Sequence, residues 1–298
     1  MKSLLAVLKK KEIMVSDGAW GTSLQKMGLK SGECPEAWNL SHPDQVKKIA
    51  FDYINAGADI VLTNSFGGSR FKLNAFGISD EVVKINRKAA SLSRSAAGDS
   101  HFVLGSIGPT GKMLMMGDIT EEAWIEAFGE QSQALIDGGA DGICIETMSA
   151  LDEALCAVEA AKDRTGCEVA CTFTFEKTLQ NEFRTMMGVT PTQMAEALLK
   201  AGADIIGANC GNGMERMIDI VKELRQVTSD TPILIHANAG MPVIQNGETV
   251  FPEKPAETAQ WIEPLIDAGA NIIGGCCGTT PEHIRMIAEK VQKKNKMQ

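Results

Sequence analysis

One short pattern occurs four times in the chain and constrains its fold more than any other feature. The pattern is a small residue, glycine, alanine and an acidic or amide residue, followed by a short apolar run. Its copies lie at residues 56–62, 138–144, 201–207 and 268–274. Each copy is typical of a helix end, a glycine cap and a short buried strand. The sequence therefore predicts four units in which a helix leads into a strand.

Four further apolar runs lie between these copies and bring the number of predicted strands to eight. They are residues 13–15, 102–104, 169–175 and 233–235. Helical spacing of apolar residues separates the strands, for example over 46–54 and 217–224. No Ser/Gly-rich linker interrupts the alternation. We therefore expect one domain over residues 1–298, a single (β/α)8 TIM barrel, with an open doubly wound sheet as the alternative.

Local signals fix several helix boundaries. Thr190 and Gln193 form a capping box with Pro191 at the first helical position, and Thr280 with Pro281 marks another start. Pro264 is expected to kink a helix over 255–268. The apolar run Met113–Met116 is a candidate lid or docking patch, and a buried loop is the favoured interpretation.

Net charge and hydropathy exclude several functional classes. A formal charge of −9 argues against nucleic acid or an anionic membrane as a partner. The apolar stretch Leu4–Leu8, within the N-terminal segment Met1–Lys11, is too short for a signal peptide. Because no segment approaches 18 uninterrupted apolar residues, we expect a cytoplasmic protein with no membrane partner.

The residues directly after each strand are the candidates for chemistry, because active sites of such barrels form at the carboxyl ends of the strands. The segments concerned are 17–22, 63–68, 108–111, 146–147, 209–211, 238–240 and 274–280. They are rich in glycine and polar residues. Three of the eight cysteines of the chain lie in two of them.

Cys210, Cys276 and Cys277 form a candidate metal site. The glycines that flank Cys276 and Cys277 let the backbone leave strand geometry, so that both sulfurs can turn toward one ion. Three thiolates suit zinc and leave one tetrahedral position open, as in catalytic sites. Buried thiols beside a tight glycine turn are the alternative. The other cysteines are expected to be core residues (Cys144, Cys156, Cys167, Cys171) or of unknown role (Cys34).

Four motifs together resemble one family. They are residues 274–283 (GGCCGTTPEH), 207–210 (GANC), 238–240 (NAG) and 17–22 (DGAWGT). The chain from Asp17 to His283 resembles the homocysteine S-methyltransferase family, most closely the homocysteine barrel of cobalamin-dependent methionine synthase. The double-cysteine motif is highly specific for this family.

The resemblance implies roles for individual residues. Cys210, Cys276 and Cys277 match the family's zinc ligands, and Asn238 matches an asparagine that can take the fourth zinc position without substrate. Asp17 and Glu146 match acidic residues that hold the substrate's ammonium group. Backbone amides around Ala19, Trp20 and Gly21 would face its carboxylate. Ala237 departs from the proline that methionine synthases have before Asn238, which puts the loop geometry there in doubt.

The chemistry that follows is zinc-dependent methyl transfer to homocysteine, giving methionine. Zinc would turn the substrate thiol into a thiolate nucleophile, so no histidine is required as acid or base. Among the four histidines, His236 has the best chance of a function.

The methyl donor is the least determined part. Residues 17–22, 63–68 and 243–247 most resemble methionine synthase barrels, and this resemblance implies a methyl-corrinoid such as methylcobalamin as donor. Nothing in the chain resembles a cobalamin-binding module, so a separate protein or module would carry the corrinoid. S-methylmethionine, betaine or another onium donor is the alternative. Two other classes stay open: a metal-independent aldolase or lyase, for which Lys112 and Lys177 are poorly placed, and a non-catalytic module that binds zinc and homocysteine.

Overall fold

Eight parallel strands, alternating with helices, form the centre of the fold. The computed structural model describes residues 2–10, 13–245 and 247–296. Each central strand pairs with its neighbours, and a bridge between Ser16 and Ile60 joins the first strand to the second. The predicted single (β/α)8 barrel is confirmed, and the open doubly wound sheet is wrong. Met1 and Lys11 of the N-terminal segment and Asn246 of the segment 243–247 lie outside the described residues.

The strands are β1 Met14–Val15, β2 Ile60–Leu62, β3 Phe102–Ile107, β4 Gly142–Met148, β5 Glu168–Phe173, β6 Glu176–Lys177, β7 Phe183–Arg184, β8 Ile205–Gly213, β9 Ile233–Asn238, β10 Val243–Gln245, β11 Glu248–Val250 and β12 Ile272–Gly275. The barrel order is β1-β12-β9-β8-β5-β4-β3-β2. The pairs β6–β7 and β10–β11 are antiparallel hairpins in the connections after β5 and β9.

The helices are α1 Leu4–Leu8, α2 Gly21–Lys26, α3 Trp38–Ser41, α4 Pro43–Asn55, α5 Arg70–Asn74, α6 Val82–Ala97, α7 Glu121–Asp137, α8 Leu151–Thr165, α9 Pro191–Lys200, α10 Met214–Val227, α11 Pro255–Ala259, α12 Ile262–Ala268 and α13 Pro281–Asn295. Short 3₁₀ turns cover Ser79–Glu81 and Leu114–Met116. The helix starts predicted at Thr190 and Thr280 are confirmed, and a capping box opens both α9 and α13.

The repeated pattern ends a helix and ties the next strand to its neighbour. Its glycines all have left-handed backbone, which glycine adopts without strain: Gly57, Gly139, Gly202 and Gly269. The side chain two residues later accepts a backbone N–H from the adjacent strand: Val15 to Asp59, Val103 to Asp141, Val169 to Asp204 and Ile233 to Asn271, at 2.7–2.9 Å. The backbone N–H of the same four residues donates back to those strands. The pattern therefore fixes strand register four times around the barrel.

Helix α1 closes the amino end of the barrel. Leu4 and Leu8 pack into the same cluster as the inward-facing apolar residues of the strands. Glu168, at the start of β5, accepts the N–H of Leu4 at 2.7 Å. Because this end is closed, the barrel is accessible from the carboxyl ends of its strands.

The barrel interior changes from apolar to polar toward that open end. Side chains two residues apart on a strand share a face, so each inward apolar residue is followed by a second inward position. The pairs are Leu104 and Ser106, Cys144 and Glu146, Ala170 and Thr172, and Leu234 and His236, all buried. A buried polar layer therefore lies between the apolar core and the mouth of the barrel.

Two local expectations need correction. Instead of a kink at Pro264, the segment 255–268 forms two helices that break at Gln260 and Trp261. Proline clashes with the carbonyl four residues before it, which here is that of Gln260. The buried-loop interpretation of 113–116 is wrong, since Met115 is 75% and Met116 71% exposed. Among the described residues, no helix is long and apolar enough to cross a membrane.

Candidate metal centre

Three cysteine side chains meet where two strands end. Cys210 lies in β8, and Cys276 and Cys277 directly follow β12. Their sulfur atoms all lie within 4.8 Å of one another, and the Sγ atoms of Cys210 and Cys277 are 4.0 Å apart. The structure thus brings together the three cysteines that the sequence singled out, although β8 and β12 are separated by β9.

The backbone at Cys210 is held in an unusual conformation. Its φ is 58°, in the left-handed region that side chains rarely adopt. Buried Asn209 stabilises this turn, because its Oδ1 accepts the N–H of Thr147 at 2.7 Å and its carbonyl accepts the Thr174 hydroxyl at 2.9 Å. Thr147 also has a positive φ of 63°. Strained residues of this kind persist where surrounding contacts hold them, often at functional sites.

Hydrogen bonds to β9 orient Cys276 and Cys277. The Cys276 N–H donates to the Ala237 carbonyl at 2.6 Å, and the Ala239 N–H donates to the Cys277 carbonyl at 2.9 Å. Thr279 donates its hydroxyl to the Cys276 carbonyl at 2.7 Å. A side chain at Gly275 would lie 2.3 Å from this hydroxyl, so glycine is required there.

The sulfur geometry fits a tetrahedral metal ion. Ligands about 2.3 Å from zinc in tetrahedral directions have sulfurs about 3.8 Å apart, close to the 4.0 Å between Cys210 and Cys277. Hydrogen bonds from Cys276 and Cys277 lower the pKa of the Cys210 thiol, so negative charge collects on this sulfur. A soft, partly ionised sulfur cluster is the donor set that zinc prefers.

Asn238 lies at the end of β9, beside the cysteines. Its side chain is buried and contributes to the lowered pKa of the Cys210 thiol, and its Oδ1 has no hydrogen-bond partner in the described part of the chain. It does not line the main cavity. It borders, with Cys210, a more open cavity next to the β6 strand and the loop before β10. An unpartnered amide oxygen here is compatible with a fourth ligand.

A cavity of about 270 Å³ lies on the other side of the cysteines. Its lining contains Cys210, Cys276 and Cys277 on one side and Asp17 and Glu146 elsewhere on the wall. The volume suits a small amino acid. The sequence-predicted residues Ala19, Trp20 and Gly21 also line it.

Asp17 is a buried carboxylate that is only partly compensated. Its Oδ2 accepts hydrogen bonds from the Trp20 indole and the Leu62 N–H, each at 2.8 Å. Burial nevertheless raises its pKa to about 7. A carboxylate in this state gains strongly from a cation that enters the cavity.

Glu146 is the second buried carboxylate of the cavity. The Ser106 hydroxyl donates to its Oε1. Burial, and secondarily the negative charge of Asp17, raises its pKa to about 7. Two buried carboxylates with raised pKa values in one cavity form a site for one positively charged group.

The backbone amides at 19–21 are only partly free to bind a ligand. The Ala19 N–H donates to the Thr279 hydroxyl at 3.0 Å, so this amide already has an acceptor within the protein. Gly21 opens α2, and the first N–H groups of a helix have no acceptor within it. Any carboxylate binding by this segment therefore falls to Trp20 and Gly21.

Two cavity residues, Glu36 and Ser106, were not predicted from the sequence. Ser65 and Thr147 lie in predicted strand-end segments, and His236 was the histidine favoured for a function; all three line the cavity as well. Glu36 is buried, accepts the Gly67 N–H at 2.6 Å and accepts the Cys34 thiol at 3.4 Å, which gives Cys34 a structural partner. Ser106 was detectable in principle, because it follows an inward apolar residue by two positions. Glu36 comes from the loop before α3, which carries no strand signal.

Comparison with known proteins identifies the family. The homocysteine S-methyltransferase family model matches residues 14–291. The chain is 33% identical over 305 residues to methionine synthase of Mycobacterium tuberculosis (strain ATCC 25618 / H37Rv), covering 97% of this chain and 25% of that protein. Identity to methionine synthase of Mycobacterium leprae (strain TN) is 30%, with 95% and 24% covered. The chain spans about a quarter of the length of these relatives.

Solved structures agree with this result. The oxidised form of the homocysteine methyltransferase MmuM from Escherichia coli superposes with a TM-score of 0.79 at 25% identity, covering 97% of this chain and all (100%) of that chain. The metallated form of the same enzyme has a TM-score of 0.79 at 23% identity, with 96% and 98% covered, which shows the shared fold.

These matches set aside the metal-independent aldolase or lyase. Homocysteine is the substrate of the matched family, and its members are methyltransferases. Because the match extends over nearly the whole chain, the protein belongs to the homocysteine S-methyltransferase family.

Proposed function

We propose that the protein transfers a methyl group to the thiol of homocysteine and releases methionine, with zinc held by Cys210, Cys276 and Cys277. The observation that supports this most strongly is the placement of the three sulfurs, within 4.8 Å of one another, on the wall of a cavity that also contains Asp17 and Glu146. The cavity therefore offers a site for the thiol and a site for the ammonium group of one small amino acid.

The three thiolates leave one tetrahedral position for a fourth ligand. Zinc held by the three thiolates would lower the pKa of a substrate thiol bound at this fourth position, so that the thiol reacts as a thiolate at neutral pH. The substrate sulfur forms a bond to the methyl carbon, while the bond between that carbon and the donor breaks. Cys210, Cys276 and Cys277 would hold the zinc that positions the substrate sulfur, and Asn238, beside Cys210, would give up its place to the substrate.

The remaining groups orient the amino acid. Asp17 and Glu146 bind the ammonium group, and the amides of Trp20 and Gly21 bind the carboxylate. Because Asp17 is itself fixed by hydrogen bonds from Trp20 and Leu62, its position does not depend on the ligand. Such fixed contacts at both ends direct the sulfur toward the metal.

A methyl-corrinoid carried by a separate protein or module is the donor that we propose first. The chain matches about a quarter of two methionine synthases, so a longer or multicomponent system would supply the rest. Direct transfer from S-methylmethionine, betaine or another onium compound is the second candidate, supported by the likeness to a homocysteine methyltransferase of full matching length.

Exposed apolar side chains near the barrel mouth favour a macromolecular donor. We define the mouth patch as Met115, Met116, Leu179, Met186 and Ile244, all between 71% and 98% exposed. They lie in the connections after β3, β5 and β9, which leave the carboxyl end of the barrel. A small diffusing donor needs no such surface, whereas a docking protein does.

A donor panel tests the proposal. The purified protein is assayed for bound zinc and for methionine formation from homocysteine with methylcobalamin, S-methylmethionine or betaine. We expect one zinc per chain and turnover with methylcobalamin. Turnover with onium compounds alone would remove the corrinoid. Homocysteine binding without turnover on any donor would indicate a non-catalytic module, and absence of both zinc and homocysteine binding would refute the proposal.

A further inference from the structure

His236 is a buried histidine in the cavity wall that the mechanism above does not use. Its side chain is 2% exposed and faces the barrel interior from β9, two residues after the inward-facing Leu234. It lines the same cavity as Asp17, Glu146 and the cysteines. Its Nε2 atom has no hydrogen-bond partner in the described part of the chain. A buried polar atom without a partner is costly unless a ligand supplies one.

The absence of a side chain at Gly274 lets the imidazole lie beside Asp17. A Cβ atom at Gly274 would lie 2.9 Å from Cδ2 of His236 and 2.7 Å from the carbonyl oxygen of Asp17. The ring edge formed by Cδ2 and Nε2 therefore has its Cδ2 atom near Gly274 and the backbone of Asp17. Independently of these distances, Asp17 and His236 line the same cavity.

The chemistry of this region defines the ligand group. Asp17 and Glu146 are acidic, so a carboxylate is repelled and a cation attracted. An α-ammonium group has three N–H donors that point in different directions, so an acceptor on a third side of the group adds to the two carboxylates. The neutral imidazole can accept this third bond through Nε2. Burial supports the neutral form, because it lowers the pKa of His236 to about 4.

We propose that His236 is a positioning residue that accepts a hydrogen bond from the α-ammonium group of homocysteine, together with Asp17 and Glu146. This inference rests on the proposed function, since it requires homocysteine in the cavity. It makes the site selective for thiols that carry an α-amino group. The selectivity follows because a thiol without this group leaves three buried acceptors unpaired.

A chemical comparison tests the role of His236. Zinc-loaded wild-type protein and the variants His236→Leu, His236→Met and His236→Gln are titrated calorimetrically with homocysteine and with 4-mercaptobutanoate, which lacks the amino group. The leucine and methionine variants should bind homocysteine about tenfold or more weakly, the cost of a lost buried partner. Their affinity for 4-mercaptobutanoate should stay within about twofold of wild type. Glutamine, whose Oε1 replaces the Nε2 acceptor, should restore most of the homocysteine affinity.

Each outcome decides a separate point. Equal weakening for both thiols, or unchanged homocysteine affinity in the apolar variants, would overturn the role of His236. If leucine prevents folding or zinc loading, the methionine and glutamine variants provide the same comparison of acceptor against no acceptor. If wild-type protein binds neither thiol, the proposed function fails instead, whatever the variants do.

Discussion

At the scale of single residues, the site combines two clusters of acidic side chains, and each cluster needs its own cation. The sulfurs of Cys210, Cys276 and Cys277 require a cation of their own, and the buried carboxylates of Asp17 and Glu146 require another. The second cation is the ammonium group of the substrate. Both carboxylates have a raised pKa of about 7, so the free protein holds protons where the complex holds a ligand.

The substitution Glu146→Gln is expected to change stability in a pH-dependent manner. The pKa of Glu146 is raised from 4.5 to about 7, so the native state binds its proton more tightly than the unfolded state. Stability therefore falls as pH rises from 4.5 to 7, and the penalty above pH 7 is at most about 3 kcal/mol. Glutamine lacks this penalty. Urea unfolding of unliganded protein should show the variant more stable than wild type at pH 8 and nearly equal at pH 5.

The same variant should lose affinity for homocysteine. Removal of one buried charge partner should weaken binding by about tenfold or more at pH 8, measured calorimetrically. The exposed carboxylate of Glu159 provides the control, since Glu159→Gln should change neither binding nor the pH dependence of stability. A Glu146→Gln variant with wild-type affinity would show that the ammonium group binds elsewhere.

The sequence predicts residue positions at this site better than residue contacts. Asp17, Glu146 and the three cysteines lie at strand ends that apolar runs reveal, so their convergence follows from barrel topology. The hydrogen bond of the Ala19 amide could not be predicted, because its acceptor, Thr279, is 260 residues away in the sequence. The orientation of the His236 ring could not be predicted either, because it depends on the space that the distant Gly274 leaves.

At the scale of elements, the fourfold pattern has a structural function that its sequence only partly reveals. Glycine caps and apolar strands were predictable from residue type. The side-chain bonds of Asp59, Asp141, Asp204 and Asn271 to neighbouring strands were not, because they depend on which strands become adjacent. Asn271 occupies the position of an aspartate and accepts the same bond, which shows that acceptor geometry matters more than charge.

Substitution of Asp204 tests this function. Asp204→Ala removes the acceptor for the Val169 N–H and the ion pair with Lys162, so we expect a loss of about 2 kcal/mol in the free energy of unfolding. Asp204→Asn keeps an acceptor, as Asn271 does, and should lose less than half of that amount. Urea midpoints measure both. Equal destabilisation by the two substitutions would assign the effect to charge instead of register.

At the scale of the whole molecule, the barrel is closed at one end and carries its chemistry at the other. Helix α1 closes the amino end through Leu4 and Leu8, and the loops of the carboxyl end bear the mouth patch. The exposure of Met115 and Met116 could not be predicted from the sequence, because an apolar run has the same composition whether other residues pack over it or not. The overall barrel was predictable, since eight strands alternate with helices along the chain.

Substitutions in the mouth patch should lower turnover only when the methyl donor is carried by a protein. Met186→Glu and Ile244→Glu place charge on the patch, so each should lower turnover with a corrinoid protein about fivefold or more, with homocysteine affinity and turnover on free methylcobalamin unchanged. Phe51→Glu, at a 51% exposed position on α4, is the matched control and should have no effect. Equal loss with the free and the protein-borne donor would contradict a docking role.

The central claim, that three protein sulfurs share one metal and leave a position for the substrate thiol, is most directly tested by X-ray absorption at the zinc edge. We expect three sulfur ligands at about 2.3 Å in zinc-loaded protein and four after homocysteine is added. Cys210→Ser should lower the number of sulfur ligands by one in both states. Cys171→Ala, at a buried strand cysteine outside the cluster, should leave both numbers unchanged. Fewer than three sulfurs in the wild type, or a count unchanged by homocysteine, would contradict the claim.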